Sequence, residues 1–526
     1  MRKELYTTDV LIIGNGIAGA TTALLVAKSN HSIRVMVITR AQDPDETNTY
    51  YAQGGIIARG GTTLISDIIQ SGGGIGLESS ARIIAEDGPR LVQEILVDKI
   101  SVPFDRTRDG SLSFALEGGH SEPRVAKVAD HTGLVIQSHF TRALKKVPNI
   151  TLMPGITAVD LLTVGHHATI WKRKYEPETC IGIYGFDQKD GRVSRILAKK
   201  TVLATGGTGQ LYAYTTNPKG ARGDGIAMAY RAGIKLLGLE FEQFHPTALK
   251  LSGAPPFLIS EAVRGLGARL TDEQGHPFMQ RYYPKSNKPD LVTRDKVSRA
   301  IFNQMLQTGS SHVFLDLHGY IPKKEIRSHF PTIYETCLTY GIDITRDRIP
   351  VSPAAHYCCG GVVTDSVGRT SMRGLYAVGE VANTGLHGGN RLASTSLLEG
   401  LIFGARVARD IVSDGLRDSP WGNPRDIVQW KDRGKYIADS ALIAADMATV
   451  KTIMWNMVGL VRKTSLLTRA ITDLTQLEDA VTRFYRDAIV TDELLGLRNT
   501  VLTALLVAKS ALANTTSVGC HYREDE

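Results

Sequence analysis

The sequence predicts an α/β protein: a Rossmann-type nucleotide-binding domain, interrupted by an inserted domain and followed by a helical one. Three observations lead to this prediction. Near the N-terminus, "DVLIIGNGIAGATTALLVAKS" has the pattern of a buried strand, a tight glycine turn and a helix. Far downstream, "GLYAVGEVANTGLHGGNRLASTSLLEGLIFGARVA" repeats that design. From about residue 418, glycines become rarer and apolar residues take helical spacing, which is typical of a helical bundle.

The composition is ordinary for a globular protein of several domains. The chain has 526 residues, 42% hydrophobic and 22% charged, so two to four domains are expected. The formal net charge of +8 is small for this length and no Lys/Arg block is dense, which argues against nucleic-acid binding. No apolar run approaches the roughly 20 residues of a membrane span. The segment "LTALLVAKSALA", broken by Lys509, instead predicts a helix packed in a bundle.

The cysteines predict neither a metal centre nor a disulfide framework. No two of the five are spaced as C-x-x-C. Iron–sulfur and structural zinc sites depend on such spacing, so no metal is expected. The N-terminal residues also lack the long apolar region of a signal peptide. We therefore expect a reduced, cytoplasmic protein.

A dinucleotide-binding motif lies in the first strand–turn–helix unit. Gly14, Gly16 and Gly19 fit G-x-G-x-x-G in the required context. The first glycine permits the turn, the second lets a pyrophosphate approach the backbone, and the third packs helix against strand. The acidic ribose partner expected about 20 residues further on is missing, and the second strand, "IRVMVITR", ends at Arg40. The motif by itself leaves FAD, NAD and NADP open.

Two later segments indicate that the nucleotide domain is discontinuous. "AKKTVLATGG" is a strand that ends at Thr205 and Gly206, and a polar loop then leads into a small-residue helix carrying Asp224. In the downstream repeat, Glu380 follows the strand and a glycine-rich loop leads to Ser396. We therefore predict a nucleotide-binding domain at 1–244 and 350–417, an inserted domain at 245–349 and a C-terminal helical domain at 418–526.

A series of short motifs runs in order along nearly the whole chain. They are "IIGNGIAG", "YYAQGGI", "EGGHS", "LATGG", "GDGIAMA", "EFEQFHPTAL", "EAVRGLGA", "TRDKVSRAI", "AAHYCCGGV", "LYAVGEV" and "GGNRLASTSLLE". In this order they resemble the succinate dehydrogenase/fumarate reductase flavoprotein family, and most closely its aspartate-oxidising branch. The resemblance implies a Rossmann-type FAD-binding domain, interrupted by an α+β capping domain and followed by a C-terminal three-helix bundle.

The stretch "NTYYAQGGI" bears on how the flavin is held. In membrane-complex members of the family, a histidine five positions before the glutamine of the A-Q-G-G run carries the flavin covalently. Here that position is Asn48, which has no nucleophilic ring nitrogen, so non-covalent FAD is expected. The motifs and the resemblance together imply these cofactor contacts: Gly14, Asn15, Gly16, Ile17, Ala18, Gly19, Arg40, Asn48, Thr49, Tyr50, Tyr51, Ala52, Gln53, Gly54, Gly55, Ala158, Val159, Thr205, Gly206, Asp224, Glu380, Ser396 and Leu397.

Glu117, in "LEGGHS", bears on the substrate. Relatives that act on plain dicarboxylates usually have an apolar residue at this place. Succinate and fumarate have no amine, whereas the ammonium group of aspartate needs an anion beside it. We therefore expect Glu117 to bind the α-amino group and to orient it or receive its proton.

The two carboxylates of such a substrate need cationic or hydrogen-bonding groups at both ends. The resemblance nominates His245, His356, Arg391 and Ser260 for this purpose, with Gln243 close to the same pocket. Arg391 can bind a carboxylate through two hydrogen bonds, and each histidine can donate one.

Arg294, in "VTRDKVSRAI", matches the arginine that transfers a proton in the family. In fumarate reduction it must deliver a proton to carbon, although arginine is an unusual acid. Oxidation of aspartate instead leaves an imine, and the proton can depart from nitrogen. We expect Arg294 to be required for fumarate reduction and to act mainly as a charge clamp on aspartate.

The resemblance therefore implies an enzyme that oxidises L-aspartate to iminoaspartate by hydride transfer to flavin N5, the first step of quinolinate and NAD biosynthesis. Reoxidation by O₂, giving H₂O₂, or by fumarate is expected. A transient quinolinate synthase partner fits the instability of iminoaspartate in water.

Two alternatives remain open at this point. The first is a soluble fumarate reductase or succinate dehydrogenase flavoprotein subunit, against which Asn48 and Glu117 argue. The second is a non-catalytic flavin-binding partner subunit that docks through its C-terminal helices. The retention of Arg294, His245 and Arg391 argues against it.

Overall fold

The computed structural model describes residues 4–416 and 420–525. The strands in chain order are β1 Leu5–Ile13, β2 Val35–Thr39, β3 Ile56–Ile57, β4 Phe114–Ala115, β5 Val125–Ala126, β6 Ile150–Pro154, β7 Ile156–Thr163, β8 Cys180–Asp187, β9 Arg192–Leu203, β10 Leu236–Leu237, β11 Glu242–Leu249, β12 Arg269–Thr271, β13 Val313–Asp316, β14 Ile349–Cys358, β15 Gly361–Val363, β16 Leu375–Ala377, β17 Ala382–Asn383, β18 Tyr436–Ile437 and β19 Ala488–Ile489. The α-helices are α1 Ile17–Ser29, α2 Thr62–Ser71, α3 Glu78–Leu91, α4 Thr132–Lys145, α5 Val164–His167, α6 Asp224–Arg231, α7 Glu261–Gly265, α8 Met279–Tyr282, α9 Arg294–Thr308, α10 Lys323–His329, α11 Pro331–Thr339, α12 Thr395–Asp414, α13 Ser440–Met457, α14 Thr464–Asp487 and α15 Asp492–Ala513.

The largest sheet has seven strands in the order β6-β2-β1-β9-β8-β7, with β16 also paired to β9. Strands β6, β2, β1, β9 and β16 pair in parallel with one another, whereas β8 pairs antiparallel with β9 and β7 antiparallel with β8. Strand β16 comes from far along the chain and aligns Leu375 with Thr201 of β9. The downstream repeat therefore joins the same sheet as the N-terminal strand.

The first strand, turn and helix present backbone groups at the carboxyl edge of this sheet. The last six residues of β1 are all buried, as expected of a central parallel strand covered on both faces. Gly14 follows with φ of +115°, and a Cβ there would collide with the carbonyl oxygen of Ala204. Only glycine lets this turn pass so close to the end of β9. Helix α1 then packs against α12.

A four-stranded antiparallel sheet, β11-β14-β13-β12, has a hydrophobic core of its own. The limits predicted for the inserted domain, 245 and 349, fall inside β11 and β14 of this sheet. These two strands pair from Glu242 opposite Cys358 to Leu249 opposite Val351, so the predicted limits fall within a paired part of the sheet. A pattern of motifs marks the residues near the strands but not where their hydrogen bonding begins.

Three long helices, α13, α14 and α15, pack on one another, and α15 also packs on α6. By length and composition α15 passes the test for a membrane-crossing helix, but 72% of its most apolar window is buried, as expected of a helix packed in a bundle. Its apolar character is therefore explained by packing in the bundle. The predicted boundary between 417 and 418 lies outside the described residues.

Candidate active site

One long cavity runs between the carboxyl edge of the large sheet and the four-stranded sheet. All the predicted catalytic residues line it, as does Ser260. Most of the predicted cofactor contacts line the same cavity, namely Gly14, Asn15, Gly16, Ile17, Ala18, Arg40, Asn48, Thr49, Tyr51, Ala52, Gln53, Gly54, Gly55, Ala158, Thr205, Gly206, Asp224, Glu380, Ser396 and Leu397. The structure therefore brings two sets of residues, predicted separately, into one continuous space.

Four predicted residues lie outside the wall of this cavity. Gly19 instead packs α1 against the turn, where a side chain would collide with the Gly14 carbonyl. The Tyr50 ring packs edge-on against Tyr51, with ring centroids 5.3 Å apart. Val159 belongs to a hydrophobic core on the opposite face of β7 from Ala158, because neighbouring strand residues alternate. The fourth, Gln243, lies behind the wall.

Two hydrogen bonds hold the glycine-motif end of the cavity in place. The Ile17 backbone N–H donates to Thr49 Oγ1 at 3.0 Å, which ties the start of α1 to the loop that follows Asn48. The Arg40 guanidinium donates to Asp492 Oδ2 at 3.2 Å, so the first turn of α15 fixes this cationic side chain. Helix α1 has no side-chain cap at Gly16, which leaves its N-terminus suited to phosphate.

Two arginines dominate the other end of the cavity, and Gln243 sets the distance between them. Arg294 Nη1 donates to Gln243 Oε1 at 3.2 Å. Gln243 Nε2 donates to the Arg391 carbonyl oxygen at 2.8 Å and to Asn390 Oδ1 at 2.7 Å. The Gln243 amide therefore contacts both arginines, and its predicted part in substrate binding stays a prediction.

Each arginine has a different electrostatic environment. Arg294 Nε donates to Glu261 Oε2 at 2.8 Å in a buried ion pair. Arg391 stacks over the Tyr357 ring, with 4.5 Å from the guanidinium carbon to the ring centroid, and donates to Ser396 Oγ at 3.0 Å. Burial, and then the charge of Arg294, lower the pKa of Arg391 to about 10, so it stays cationic at neutral pH.

Glu261 is a site residue that motif reasoning did not single out. Burial acts to raise the pKa of this carboxyl, but the charges of Arg294 and Arg264 outweigh burial and hold the pKa below its usual value. The signal present in the sequence is "SEAVRG", which places Glu261 beside Ser260 and three residues before Arg264. Nothing in that motif indicates that Arg294, 33 positions away, completes the pair.

The two histidines act as neutral hydrogen-bonding groups. Burial is the main cause that lowers the pKa of His245 and of His356 well below the usual value, and nearby arginines add to it. The Thr247 backbone N–H donates to His245 Nδ1 at 3.2 Å, so the proton of the neutral ring lies on Nε2. The two rings meet edge-on with centroids 5.1 Å apart.

Glu117 lies in the same cavity, close to the Glu261–Arg294 pair. Gly118, its neighbour, approaches Glu261 Oε1 so closely that any Cβ would overlap it. The Ser394 hydroxyl donates to Glu117 Oε2 at 2.6 Å. Ser394 itself adopts a φ of +56°, a left-handed conformation that is unusual outside glycine, directly before α12. The backbone thus accepts strain at the residue that orients this carboxylate.

Comparison with known families accounts for nearly the whole chain. The family model described as an FAD binding domain matches residues 9–397, and the model described as the fumarate reductase flavoprotein C-terminus matches residues 447–526.

The chain belongs to the succinate dehydrogenase/fumarate reductase flavoprotein family.

Curated relatives of this flavoprotein include L-aspartate oxidase 1 of Ralstonia nicotianae, 41% identical over 98% of this chain and 95% of the relative. L-aspartate oxidase of Pseudomonas aeruginosa is 39% identical over 99% of this chain and 96% of the relative. Among solved structures, a variant of the E. coli quinol fumarate reductase FrdA superposes with a TM-score of 0.88 at 27% identity, covering 100% of this chain and 92% of that one. The flavoprotein therefore has the mixed α/β fold of these subunits.

The residues of the cavity fit FAD, the cofactor of this family. Among the described residues, several buried polar atoms of the wall have no hydrogen-bond partner: Gln53 Oε1, Thr205 Oγ1, Asn217 Oδ1 and Arg391 Nε. Buried polar groups are rarely left unpaired in proteins, so their clustering along one cavity indicates a polar ligand. The uncapped start of α1 suits its pyrophosphate.

Behind the cavity, a buried carboxyl that motif reasoning missed lies close to Glu380. Thr208 Oγ1 donates to Glu242 Oε2 at 2.8 Å, while Glu242 Oε1 is buried without a partner. Burial raises the pKa of Glu242 to about 8; the Thr208 hydrogen bond opposes this rise and the Glu380 charge adds to it. Burial also raises the pKa of Glu380 to about 7, although hydrogen bonds from Cys358 and Asn48 oppose it.

We predict that the stability of Glu242→Gln, compared with that of the parent protein at the same pH, increases as pH rises. The folded protein keeps a proton on Glu242 up to about pH 8, whereas the unfolded chain releases it near 4.5. The contribution of Glu242 to the free energy of unfolding is therefore fully present below the pKa of the unfolded chain. It is lost as pH rises towards the pKa of the folded protein, by up to roughly 1.4 kcal/mol per pH unit. Thermal unfolding of both proteins between pH 5 and pH 8 measures the difference.

The expected result is a melting-temperature advantage of Glu242→Gln that grows across this range. The matched control is Glu493→Gln, at an exposed position in the first turn of α15, and it should show no such trend. A constant difference between Glu242→Gln and the parent protein at every pH would contradict the assignment.

Proposed function

We propose that this flavoprotein catalyses the FAD-dependent oxidation of L-aspartate to iminoaspartate, the reaction that begins quinolinate and NAD biosynthesis. The observation that carries the proposal is the charge pattern of one cavity. Two guanidinium groups, those of Arg294 and Arg391, share it with a carboxylate, Glu117, that no arginine of the described chain neutralises directly. L-aspartate has the complementary charges, with two carboxylates and one ammonium group.

The two carboxylates of the substrate bind at the two arginines. Arg391 presents a buried Nε that has no partner within the described residues, and its Nη1 donates only to a serine hydroxyl. A carboxylate placed there gains a charge-assisted hydrogen bond in a site shielded from water. His245 and His356 donate as neutral groups, so they add directional hydrogen bonds without adding charge.

The ammonium group binds at Glu117. The Oε1 atom of Glu117 faces the loop that carries Gly54, since a Cβ added to Gly54 would lie 3.4 Å from Oε1. The Ser394 hydroxyl donates to Oε2 and leaves Oε1 for the substrate. A buried ammonium ion without an anion would be strongly disfavoured. Glu117 therefore selects an amino dicarboxylate over succinate and accepts the proton that leaves nitrogen.

FAD, when bound, supplies the hydride acceptor, and this chain holds it by contacts alone. Asn48 occupies the position from which a histidine could attach the flavin, and its Nδ2 donates to Glu380 Oε2 at 2.7 Å. An amide nitrogen of this kind is a hydrogen-bond donor and not a nucleophile. O₂ or fumarate serves as the final acceptor in this proposal.

The arrangement of domains and partners forms part of the same proposal. An FAD-binding domain built on the large sheet is interrupted by a capping domain around the four-stranded sheet, and a three-helix domain follows. Arg294, from α9 beside the smaller sheet, reaches the cavity together with Arg391 from the segment before α12. A cytoplasmic location suits its five free, buried thiols, and hand-off to quinolinate synthase suits the unstable product.

The test of this function is the substitution Glu117→Gln, which keeps the shape of the side chain and removes its charge. We expect aspartate oxidation to fall by about 10²-fold, because the loss of a charge-assisted hydrogen bond costs about 1.5–3 kcal/mol. Fumarate reduction with a reduced dye should change by less than threefold or so, since fumarate has no ammonium group. Equal losses in the two assays would contradict the role of Glu117.

A second prediction separates the roles of Arg294. Arg294→Leu should lower fumarate reduction by about 10³-fold, which is the contribution typical of a positioned proton donor. Aspartate oxidation should fall less, with most of the change in KM, because the arginine then acts only as a charge clamp. Flavin absorbance of the purified variant controls for folding. The same fold-loss in kcat for both reactions would refute this division.

A further inference from the structure

A second cavity, of about 440 Å³, lies apart from the flavin cavity and shares no wall residue with it. It opens where the end of α6 and the segment 430–434 meet α14 and α15. Its volume is within the range of roughly 300–1,000 Å³ that is usual for small-molecule sites. The residues around it are Tyr230, Arg231, Trp430, Lys431, Asp432, Arg433, Gly434, Glu478, Thr482, Tyr485, Arg486, Ala488, Val490, Arg498 and Leu502.

Positive charge is in excess in this wall. Five cationic side chains, Arg231, Lys431, Arg433, Arg486 and Arg498, line the cavity with two carboxylates, Asp432 and Glu478, and a third carboxylate, Asp160, lies beside it. Within residues 4–416 and 420–525, two of these arginines, Arg433 and Arg486, form no ion pair, and both are exposed. An unneutralised group of this kind attracts an anion, and guanidinium groups suit phosphate best because of their fork of donors.

The other two arginines are fixed by a carboxylate beside the cavity. Arg231 Nε donates to Asp160 Oδ1 at 2.6 Å, and Arg498 Nη1 donates to Asp160 Oδ2 at 2.8 Å. Arg231 Nη1 is nevertheless buried without a hydrogen-bond partner in the described part of the chain. A single carboxylate thus serves two guanidinium groups and leaves donor capacity unused.

Aromatic surfaces line the same cavity. Arg498 lies over the Tyr485 ring, with 4.3 Å between the guanidinium carbon and the ring centroid. Trp430 is held edge-on by Tyr184, with centroids 5.3 Å apart, and Tyr230 is 48% exposed. Flat π surfaces and a guanidinium plane stack well on a planar heterocycle. A plain inorganic anion or a dicarboxylate would leave these surfaces unused.

We propose that this cavity binds a phosphate monoester that bears a planar ring, of the class of a nucleoside monophosphate. The phosphate pairs with Arg433 and Arg486, and the ring stacks against the aromatic side chains. Asp160, which binds both Arg231 and Arg498, lies two residues beyond Ala158 on β7, and Ala158 lines the flavin cavity. An occupant that competes with Asp160 for these arginines therefore acts close to the flavin cavity. Binding itself requires neither turnover nor an empty flavin site.

The test is isothermal titration of the FAD-saturated protein in a phosphate-free buffer, with AMP, ribose 5-phosphate and adenosine as separate probes. We expect one AMP per chain with a Kd of about 1 mM or tighter, and weaker binding of each partial probe. The flavin spectrum should show that FAD stays bound. Arg433→Ala and Arg486→Ala should each weaken AMP binding by about tenfold, the size typical of one lost charge-assisted hydrogen bond.

The matched control is Arg483→Ala, an exposed arginine of α14 that does not line the cavity. It should bind AMP as the parent protein does. Aspartate oxidation without AMP serves as the folding control for all three variants. Three results would overturn the proposal: no saturable AMP binding, release of FAD by AMP, or equal affinity in Arg433→Ala, Arg486→Ala and Arg483→Ala.

Discussion

The structure depends on holding two buried guanidinium groups of like charge, Arg294 and Arg391, in one cavity. Their mutual repulsion contributes to the lowered pKa of Arg391, and only Arg294 has a carboxylate partner, Glu261. Isolated buried charges cost several kcal/mol, so this arrangement is tolerable only if other contacts enforce it. Gln243 provides that enforcement, since one amide binds the Arg294 side chain and the Arg391 backbone together. A dianionic ligand relieves the repulsion, which links the cost of folding this site to its affinity for diacids.

The proposed recognition of the substrate nitrogen by Glu117 depends on a second imposed geometry. Glu117 and Ser394 are 277 positions apart in sequence, yet the serine hydroxyl fixes the carboxylate. The left-handed backbone at Ser394 also precedes α12, the helix that packs on α1. Packing of the two helices therefore fixes the residue that orients Glu117. A carboxylate placed in this way next to two arginines gives the cavity a charge pattern that plain dicarboxylates do not match.

Local sequence was enough to locate the first strand, turn and helix, because burial and glycine placement are local properties, whereas the pairing of the downstream β16 with β9 depends on contacts distant in sequence. Motifs also brought Arg294, Arg391, both histidines and Glu117 to one cavity. Three things could not be read in this way. The burial of the Val159 side chain in a hydrophobic core depends on strand alternation. The pairing of Glu261 depends on a contact between α7 and α9, and the placement of Gln243 depends on its three partners. The strand ends near 245 and 349 likewise depend on register, which no short motif encodes.

Anaerobic titration of the purified yellow protein, followed by visible absorbance, tests the central claim most directly. The charge pattern of the cavity predicts that L-aspartate bleaches the flavin in proportion to added substrate, while succinate at the same concentration does so far more slowly. Bleaching by succinate as fast as by L-aspartate, or no bleaching by L-aspartate, would contradict a cavity in which two arginines bind a diacid and one carboxylate recognises its amine.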